Sequence, residues 1–297
     1  MKQNRNNMFK HWLKIFFDLL KLKITAAVSF TTAVGYLLAV EKLSLEIFIP
    51  ILGIFLLACG SSALNEFQER KIDSLMHRTK DRPLPAKRIQ SRTALFIILV
   101  LVLAGILVLY FGTNLLVTLL GIFALVWYNG VYTPLKRRTA FAAVPGALIG
   151  AIPPMVGWVA GGGYIFDPKI ILIAGFFFIW QVPHFWLLLL MSGNDYEQAG
   201  LPSLTGVFSI TQISRITFMW MLTTAITSLI IINFGVVQSL IVKIGLVILA
   251  IGLSWQAVKI LRAQGRSLSF KSGFISINIY ALLVIVFLSL DQLTNVL

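Results

Sequence analysis

The chain has 297 residues, 58% of them hydrophobic and only 12% charged, which is too little polar material to coat a soluble globule of that size. Its formal net charge of +14 is no nucleic-acid footprint, because the lysines and arginines fall in alternate breaks between apolar runs, the pattern of membrane topology. The lone Cys59 allows no intramolecular disulfide, and strands alternating every second residue are missing, which argues against an outer-membrane barrel.

Residues 1–23 carry Lys2, Arg5, Lys10, Lys14, Lys21 and Lys23 and lack the early apolar core and small-residue cleavage site of a signal peptide. They read as a cytoplasmic segment, an interfacial amphipathic helix ahead of the bundle. A span needs roughly 20 apolar residues. Nine runs qualify, at about 24–40, 46–68, 93–111, 114–132, 140–160, 168–191, 214–233, 236–257 and 273–291. The expected fold class is therefore all-α: a polytopic membrane helical bundle of about nine transmembrane helices, one domain over 1–297, embedded in the lipid bilayer with its N-terminus cytoplasmic.

The inside breaks hold Arg70, Lys71, Arg78, Lys80, Arg82, Lys87, Arg88 and Arg92, then Lys136, Arg137 and Arg138, then Arg215, then Lys259, Arg262, Arg266 and Lys271. Only Lys42, Lys169 and Lys243 remain outside, so the C-terminus, after Asp291, is expected outside. The outside loops are short and read as connectors. Two inside segments, 65–92 and 192–215, contain Glu66, Glu69, Asp73, Asp81, Asp195 and Glu197, six of the chain's 11 acids, and so draw the search for chemistry.

Asn65, Glu69 and Asp73 stand at i, i+4 and i+8, one helical face a turn apart. Two carboxylates and an amide with open positions suit magnesium shared with substrate phosphates. Arg78, Lys80 and Arg82 follow directly as cationic partners for the same phosphates. The blander alternative is a solvated helix end with local pairs such as Glu66 with Arg70. Asp195 stands out in the second segment as a further metal ligand, or else marks a helix stop ahead of Gly200 and Pro202. Tyr128, Tyr132 and Lys136 share i, i+4 spacing at the end of the fourth span, with Arg137 and Arg138 extending the charge and Pro134 bending the exit. An aromatic belt with stop-transfer charge explains them equally well. His184, near the inside end of the sixth span, is an expensive group there: a contact for haem or another acceptor, or a neutral histidine bonded across helices. His11 and His77 have hydrophilic surroundings and read as solvated.

Together these residues resemble the UbiA superfamily of intramembrane prenyltransferases, over nearly the whole chain, and within it the branch that acts on haem. The resemblance rests on Asp73-x-x-Met76-x-Arg78-Thr79-x-x-Arg82-Pro83-Leu84, on 132–139 from Tyr132 to Thr139, on Pro145 and Gly146, on 152–158, on Trp180 to Phe185, and on Asp195-Tyr196-x-x-Ala199-Gly200-x-Pro202. It implies Mg2+ held by Asn65, Glu69, Asp73 and Asp195, and diphosphate bound by Arg78, Lys80, Arg82, Lys136 and Arg137. Asp73, Lys136 and Tyr132 are the implied catalytic groups, with Tyr132 flanking the reacting isoprenoid, and His184 is the haem-contact candidate. The implied substrates are farnesyl diphosphate and haem b, joined at a vinyl group to give haem O for haem-copper oxidase assembly. Implied protein partners are haem A synthase or oxidase assembly factors, and no nucleic acid is involved. Glu69 stands where the family more often has aspartate. Ala199 stands where an acid four residues after Asp195 would be, a departure that resembles the haem branch. A sister enzyme acting on a quinone precursor or chlorin, and a membrane transporter, remain the alternatives.

Overall fold

Hydrocarbon offers no water to peptide N–H and C=O groups, so a run of twenty apolar residues satisfies its backbone only by coiling on itself. The computed structural model describes residues 2–42, 44–191, 193–262 and 267–294, and among them it holds helices and loops and no strand. Arg266 lies outside the described residues, and so do the side chains of Lys2, Arg5, His11 and Asn194. The elements in order are α1 (Lys2–Leu20), α2 (Leu22–Val40), a 3₁₀ turn (Leu45–Ile47), α3 (Phe48–Asp73), α4 (Ser91–Gly112) and α5 (Leu115–Val126). The chain runs from α5 through a π-helical turn (Trp127–Tyr132) into α6 (Thr133–Leu135). The next span is broken into a 3₁₀ turn (Ala140–Ala142), α7 (Ala143–Gly146) and α8 (Leu148–Ala160). There follow α9 (Pro168–Met191), α10 (Gly193–Gln198), α11 (Ile210–Asn233), α12 (Leu240–Arg262) and α13 (Ser267–Thr294).

Nine helical segments among the described residues are long and apolar enough to cross a membrane, in the order the sequence predicts, so this is a multi-pass membrane protein. Several boundaries differ from the expected ones: α12 runs on to Arg262, α13 begins at Ser267, and three others have a visible cause or consequence. α3 continues to Asp73 rather than ending at residue 68, which keeps the whole acidic stripe helical. The seventh span starts at Ile210, four residues early, because Ser209 and Gln212 form a capping box. The eighth starts at Leu240 because the buried Asp291 carboxylate accepts the N–H groups of Gln238 (2.9 Å) and Ser239 (2.7 Å), fixing the turn before α12.

α2 packs against α3 and α8; α8 leads to α9, α9 to α11 and α13, and α13 returns to α2, closing the bundle. α1 docks by one edge: Ile15 and Leu19, a turn apart, are buried with Ala63, Leu84, Ile89, Ala94 and Ile98, while Trp12, Leu13, Phe16 and Phe17 stay exposed as an apolar face. The break between α1 and α2 is made at Lys21, whose φ of 49° lies in the left-handed region.

In the fourth span a π-helical turn comes just before Pro134. The proline has no N–H for the carbonyl of Gly130, and Thr133 gives both its N–H and its hydroxyl (2.9 Å) to the Tyr128 carbonyl.

Small residues let α2 and α8 meet backbone to backbone. A Cβ on Gly35 would sit 1.9 Å from the Pro154 carbonyl oxygen, and one on Gly157 would sit 1.9 Å from that of Thr32. Neither carbonyl can swing aside as a side-chain tip would. Gly35→Ala and Gly157→Ala should each destabilise the bundle by ~1–3 kcal/mol, seen as a lower unfolding temperature in detergent; unchanged melting of both variants would contradict this packing.

Candidate active site

The last two turns of α3 bury Asn65, Glu66, Glu69 and Asp73 to 3%, 0%, 5% and 1% exposure, so each charge there needs a partner from the protein. Lys136, just beyond α6, supplies one: its Nζ lies 2.8 Å from Glu69 Oε1 and 3.0 Å from Oε2. Asn65 Nδ2 donates to the same carboxylate (3.0 Å) and to Thr133 Oγ1 (3.1 Å), while its Oδ1 accepts from Lys21 Nζ (3.2 Å). One turn on, Arg82 donates to Asp73 Oδ2 at 2.7 Å. Glu66 Oε1 accepts the backbone N–H of Leu84 (2.9 Å), and its Oε2 is buried without a hydrogen-bond partner. The local Glu66–Arg70 pair is not formed. Arg70 turns back to the Phe67 carbonyl and lies 4.1 Å over the Phe67 ring, because an i, i+4 partner on the buried face would drag the guanidinium out of water.

These bonds fold the segment 74–90 over the end of α3. Thr79 donates its hydroxyl to the Asp73 carbonyl (2.9 Å), and the Arg78 N–H reaches Asp195 Oδ2 (3.1 Å), joining the two acidic segments. Asp195 is thus held on a loop amide beside the α3 site, while Gly200, at φ 70°, ends the turn after α10 as a helix stop should. Glu197 is exposed and caps its own loop, accepting from Ser203 (3.0 Å) and Thr205 (2.6 Å); those hydroxyls hold its carboxyl below the usual range.

The structure therefore brings Asn65, Glu69, Lys136 and Tyr132 to one place, Asp73 and Arg82 to the next turn, and Asp195 to the loop between. The side chains of Arg78 and Lys80 are exposed and directed at no carboxylate, and Arg137 is spent on the Gln68 carbonyl (2.7 Å). Tyr132 is buried under the Lys136 ammonium (5.7 Å to the ring centroid) and stacks on Tyr128 (5.5 Å) and on Phe185 (5.6 Å). Gly146 makes room for it: a Cβ there would meet the Tyr132 ring at 2.4 Å. His184 follows Phe185 (5.6 Å between rings) and bonds through Nδ1 to Asn278 Oδ1 (2.8 Å). A continuous aromatic wall thus leads from the ionic cluster to His184.

Three acids, Glu66, Glu69 and Asp73, and three cations, Lys21, Arg82 and Lys136, share the cluster. Burial and the Arg82 guanidinium push Lys21 down to about 8, against the pull of Glu66 and Glu69. Burial acts most strongly against charge on Lys136, but the Glu69 carboxylate together with Tyr196 and Tyr128 holds it above its ordinary value. Lys21, Glu66 and Thr133 were not singled out as site residues by the sequence, Lys21 because it reads as one more topological charge. Asn129 is a further member, and its intramembrane amide is the signal that marks it. It binds Ser61 (2.6 Å) and Gln68 (3.3 Å) and ties the π-turn to α3.

The donor set available to a cation here is hard oxygen. Among the described residues no three of His, Cys, Asp and Glu converge on one point. The carboxylates come singly, on successive turns of α3 and on α10, and the Glu66 Oε2 orphan adds another uncommitted oxygen. Such spacing fits a magnesium ion that takes one or two carboxylates and leaves its remaining positions to phosphate oxygens and water.

Residues 28–278, well over half the chain, match the UbiA prenyltransferase family. The chain belongs to that family. Relatives of this UbiA protein include Protoheme IX farnesyltransferase from Geobacter sulfurreducens, 44% identical over 171 residues, which are 58% of this chain and 63% of that protein. Protoheme IX farnesyltransferase from Nitratidesulfovibrio vulgaris is 34% identical over 246 residues, 83% of this chain and 86% of that one. The first alignment thus spans less than two thirds of its relative, the second nearly all. A UbiA homolog from Archaeoglobus fulgidus, solved bound to GPP and Mg2+, shares the fold at a TM-score of 0.67 and 15% identity, covering 94% of this chain and 99% of that one.

If Glu66 anchors the 74–90 segment through the Leu84 N–H, Glu66→Gln should keep that segment as resistant to trypsin as the parent, while Glu66→Ala should be cut there several-fold faster. Equal cleavage of all three would show that the segment is held by something else.

Proposed function

We propose that this UbiA protein transfers the farnesyl group of farnesyl diphosphate to a vinyl group of haem b, releasing diphosphate and forming haem O. The observation that carries the reading is the pairing of Asn65, Glu69 and Asp73 on α3 with Lys136 and Arg82 in a buried cluster that adjoins the Tyr132–Phe185 wall. The haem relatives at 44% and 34% identity support the acceptor.

In this reading the diphosphate lies against Lys136, Arg82 and Lys21, with Arg78, Lys80 and Arg137 at the rim. Asn65, Glu69, Asp73 and Asp195 would hold magnesium. The metal, when bound, supplies positive charge that stabilises the departing diphosphate. Glu69 and Asp73 are paired with cations now; an arriving diphosphate gives Lys136 and Arg82 new anionic partners and frees the carboxylate oxygens. The C1–O bond of the allylic diphosphate breaks with its electron pair leaving on oxygen. Tyr132, buried and stacked, faces the allylic cation with its π surface and keeps water from it. The vinyl π electrons form the new bond to C1, water adds to the resulting cation beside the porphyrin, and its proton passes to solvent.

The basic residues of 70–92 and 136–138 lie at the end of the bundle that holds the site, which supports a cytoplasmic active face in a cell membrane by the positive-inside rule. The chain then acts as one prenyltransferase unit with 1–23 as its interfacial helix, and passes a membrane-bound haem to haem A synthase or oxidase assembly factors. A transporter reading is disfavoured, because these polar groups gather at one end of the bundle rather than at its middle.

Purified protein given farnesyl diphosphate, haem b and Mg2+ should yield haem carrying a hydroxyethylfarnesyl group, lose turnover on chelation and regain it with Mg2+. Asp73→Asn should fold yet lose activity by on the order of 10². Prenylation of 4-hydroxybenzoate but not of haem would overturn the acceptor assignment, and normal turnover in Asp73→Asn would place the metal site elsewhere.

A further inference from the structure

The aromatic wall ends at a histidine whose two ring nitrogens are treated differently. His184 Nδ1 is 2.8 Å from Asn278 Oδ1, whereas Nε2 makes no hydrogen bond among the described residues. The residue is only half-buried, and Nε2 is not among the sealed polar atoms that lack a partner, so that edge of the ring is open to a ligand.

Asn278 decides which nitrogen carries the proton. Its Nδ2 donates to the Phe274 carbonyl one turn back (2.6 Å), which fixes the amide: turned over, it would set its oxygen against that carbonyl oxygen. With Nδ2 committed to Phe274, Oδ1 is the atom facing the imidazole, and Oδ1 only accepts. Nδ1 must therefore bear the hydrogen, and the lone pair is left on Nε2. The rings of Trp180 (5.0 Å) and Phe274 (5.1 Å) flank the imidazole and limit its rotation.

A purely structural role for this bond, stitching α9 to α13, is already filled next door. Trp180 Nε1 donates to the Ile277 carbonyl at 2.9 Å, and Phe176 packs on Tyr280 across the same helix pair. What the His184–Asn278 bond adds is a chosen tautomer with a free, basic nitrogen, the arrangement that neutral histidines use to bind transition metals.

We infer that Asn278 is a positioning residue that holds His184 in its Nδ1-protonated tautomer, so that Nε2 binds the iron of a metalloporphyrin seated against the Phe185–His184 wall. The inference rests on the proposed haem acceptor and deepens it: the iron bond fixes the acceptor's plane and brings a chosen edge of the macrocycle toward the isoprenoid.

The test uses the full-length protein in detergent, loaded anaerobically with ferrous haem b and read by the iron–histidine stretching band in resonance Raman spectra, with haem farnesylation assayed in the same preparation. The parent should show the band and His184→Ala should lose it. Asn278→Leu, which removes the acceptor, should lower the band's frequency and weaken haem affinity about 10–100-fold. Asn278→Asp, which restores an acceptor and adds charge, should raise the frequency above the parent's. If Asn278 were merely structural, haem affinity would change with no movement of the band, and the inference would fall. It would also fall if the parent bound haem without the band, or if His184→Ala kept it. Absence of haem farnesylation alongside a normal, variant-sensitive band would instead overturn the proposed activity and leave the iron site standing.

Discussion

Burying acids at the end of a membrane helix is the constraint around which the rest of this protein is arranged. Glu66, Glu69 and Asp73 lie where water does not reach, and a carboxylate so placed is tolerated only if a donor or cation from elsewhere in the chain comes to it. The partners come from three segments: Leu84 and Arg82 from the loop after α3, Lys136 from beyond the π-turn, and Lys21 from the hinge between α1 and α2, by way of Asn65. Satisfying three acids therefore positions three further pieces of chain. The loop that results meets Asp195 through the Arg78 amide and draws in the second acidic segment as well.

The same economy gives the site its chemistry. Cations and carboxylates neutralise each other in this cluster, and under the proposed function they exchange partners when a diphosphate and a divalent ion arrive. The widened turn in the fourth span places Tyr128, Tyr132 and Lys136 together, so that the ionic cluster and the apolar wall for an isoprenoid share a boundary. Beyond Phe185 the wall meets α13 through the contacts of His184 with Phe274 and Asn278.

Much of this architecture is legible in the sequence, because the signals are local. Nine spans announce themselves as windows of about twenty apolar residues, and the turn-by-turn spacing of Asn65, Glu69 and Asp73 needs only a helix to put them on one face. What the sequence hides is long-range. The start of α12 is set by Asp291, more than fifty residues away, so a boundary drawn from hydropathy at 236 falls short. The choice of Leu84 rather than Arg70 as partner for Glu66 follows from which face of α3 is buried, and that is a property of the neighbours. Lys21 carries no mark separating it from other N-terminal lysines until the hinge turns it toward Asn65. Nothing in a single sequence ties Asn278 to His184, 94 positions earlier.

The central claim is that the acids of α3 and the surrounding cations form one exchangeable site for a divalent ion and a diphosphate. Binding of an unreactive farnesyl thiodiphosphate, measured by calorimetry with and without Mg2+, tests it most directly. Partner exchange predicts that Mg2+ tightens binding at least about tenfold, equivalent to ~1.4 kcal/mol of coupling, and that Glu69→Gln with Asp73→Asn abolishes the gain. Equal affinity with and without the metal, in parent and double variant alike, would contradict it.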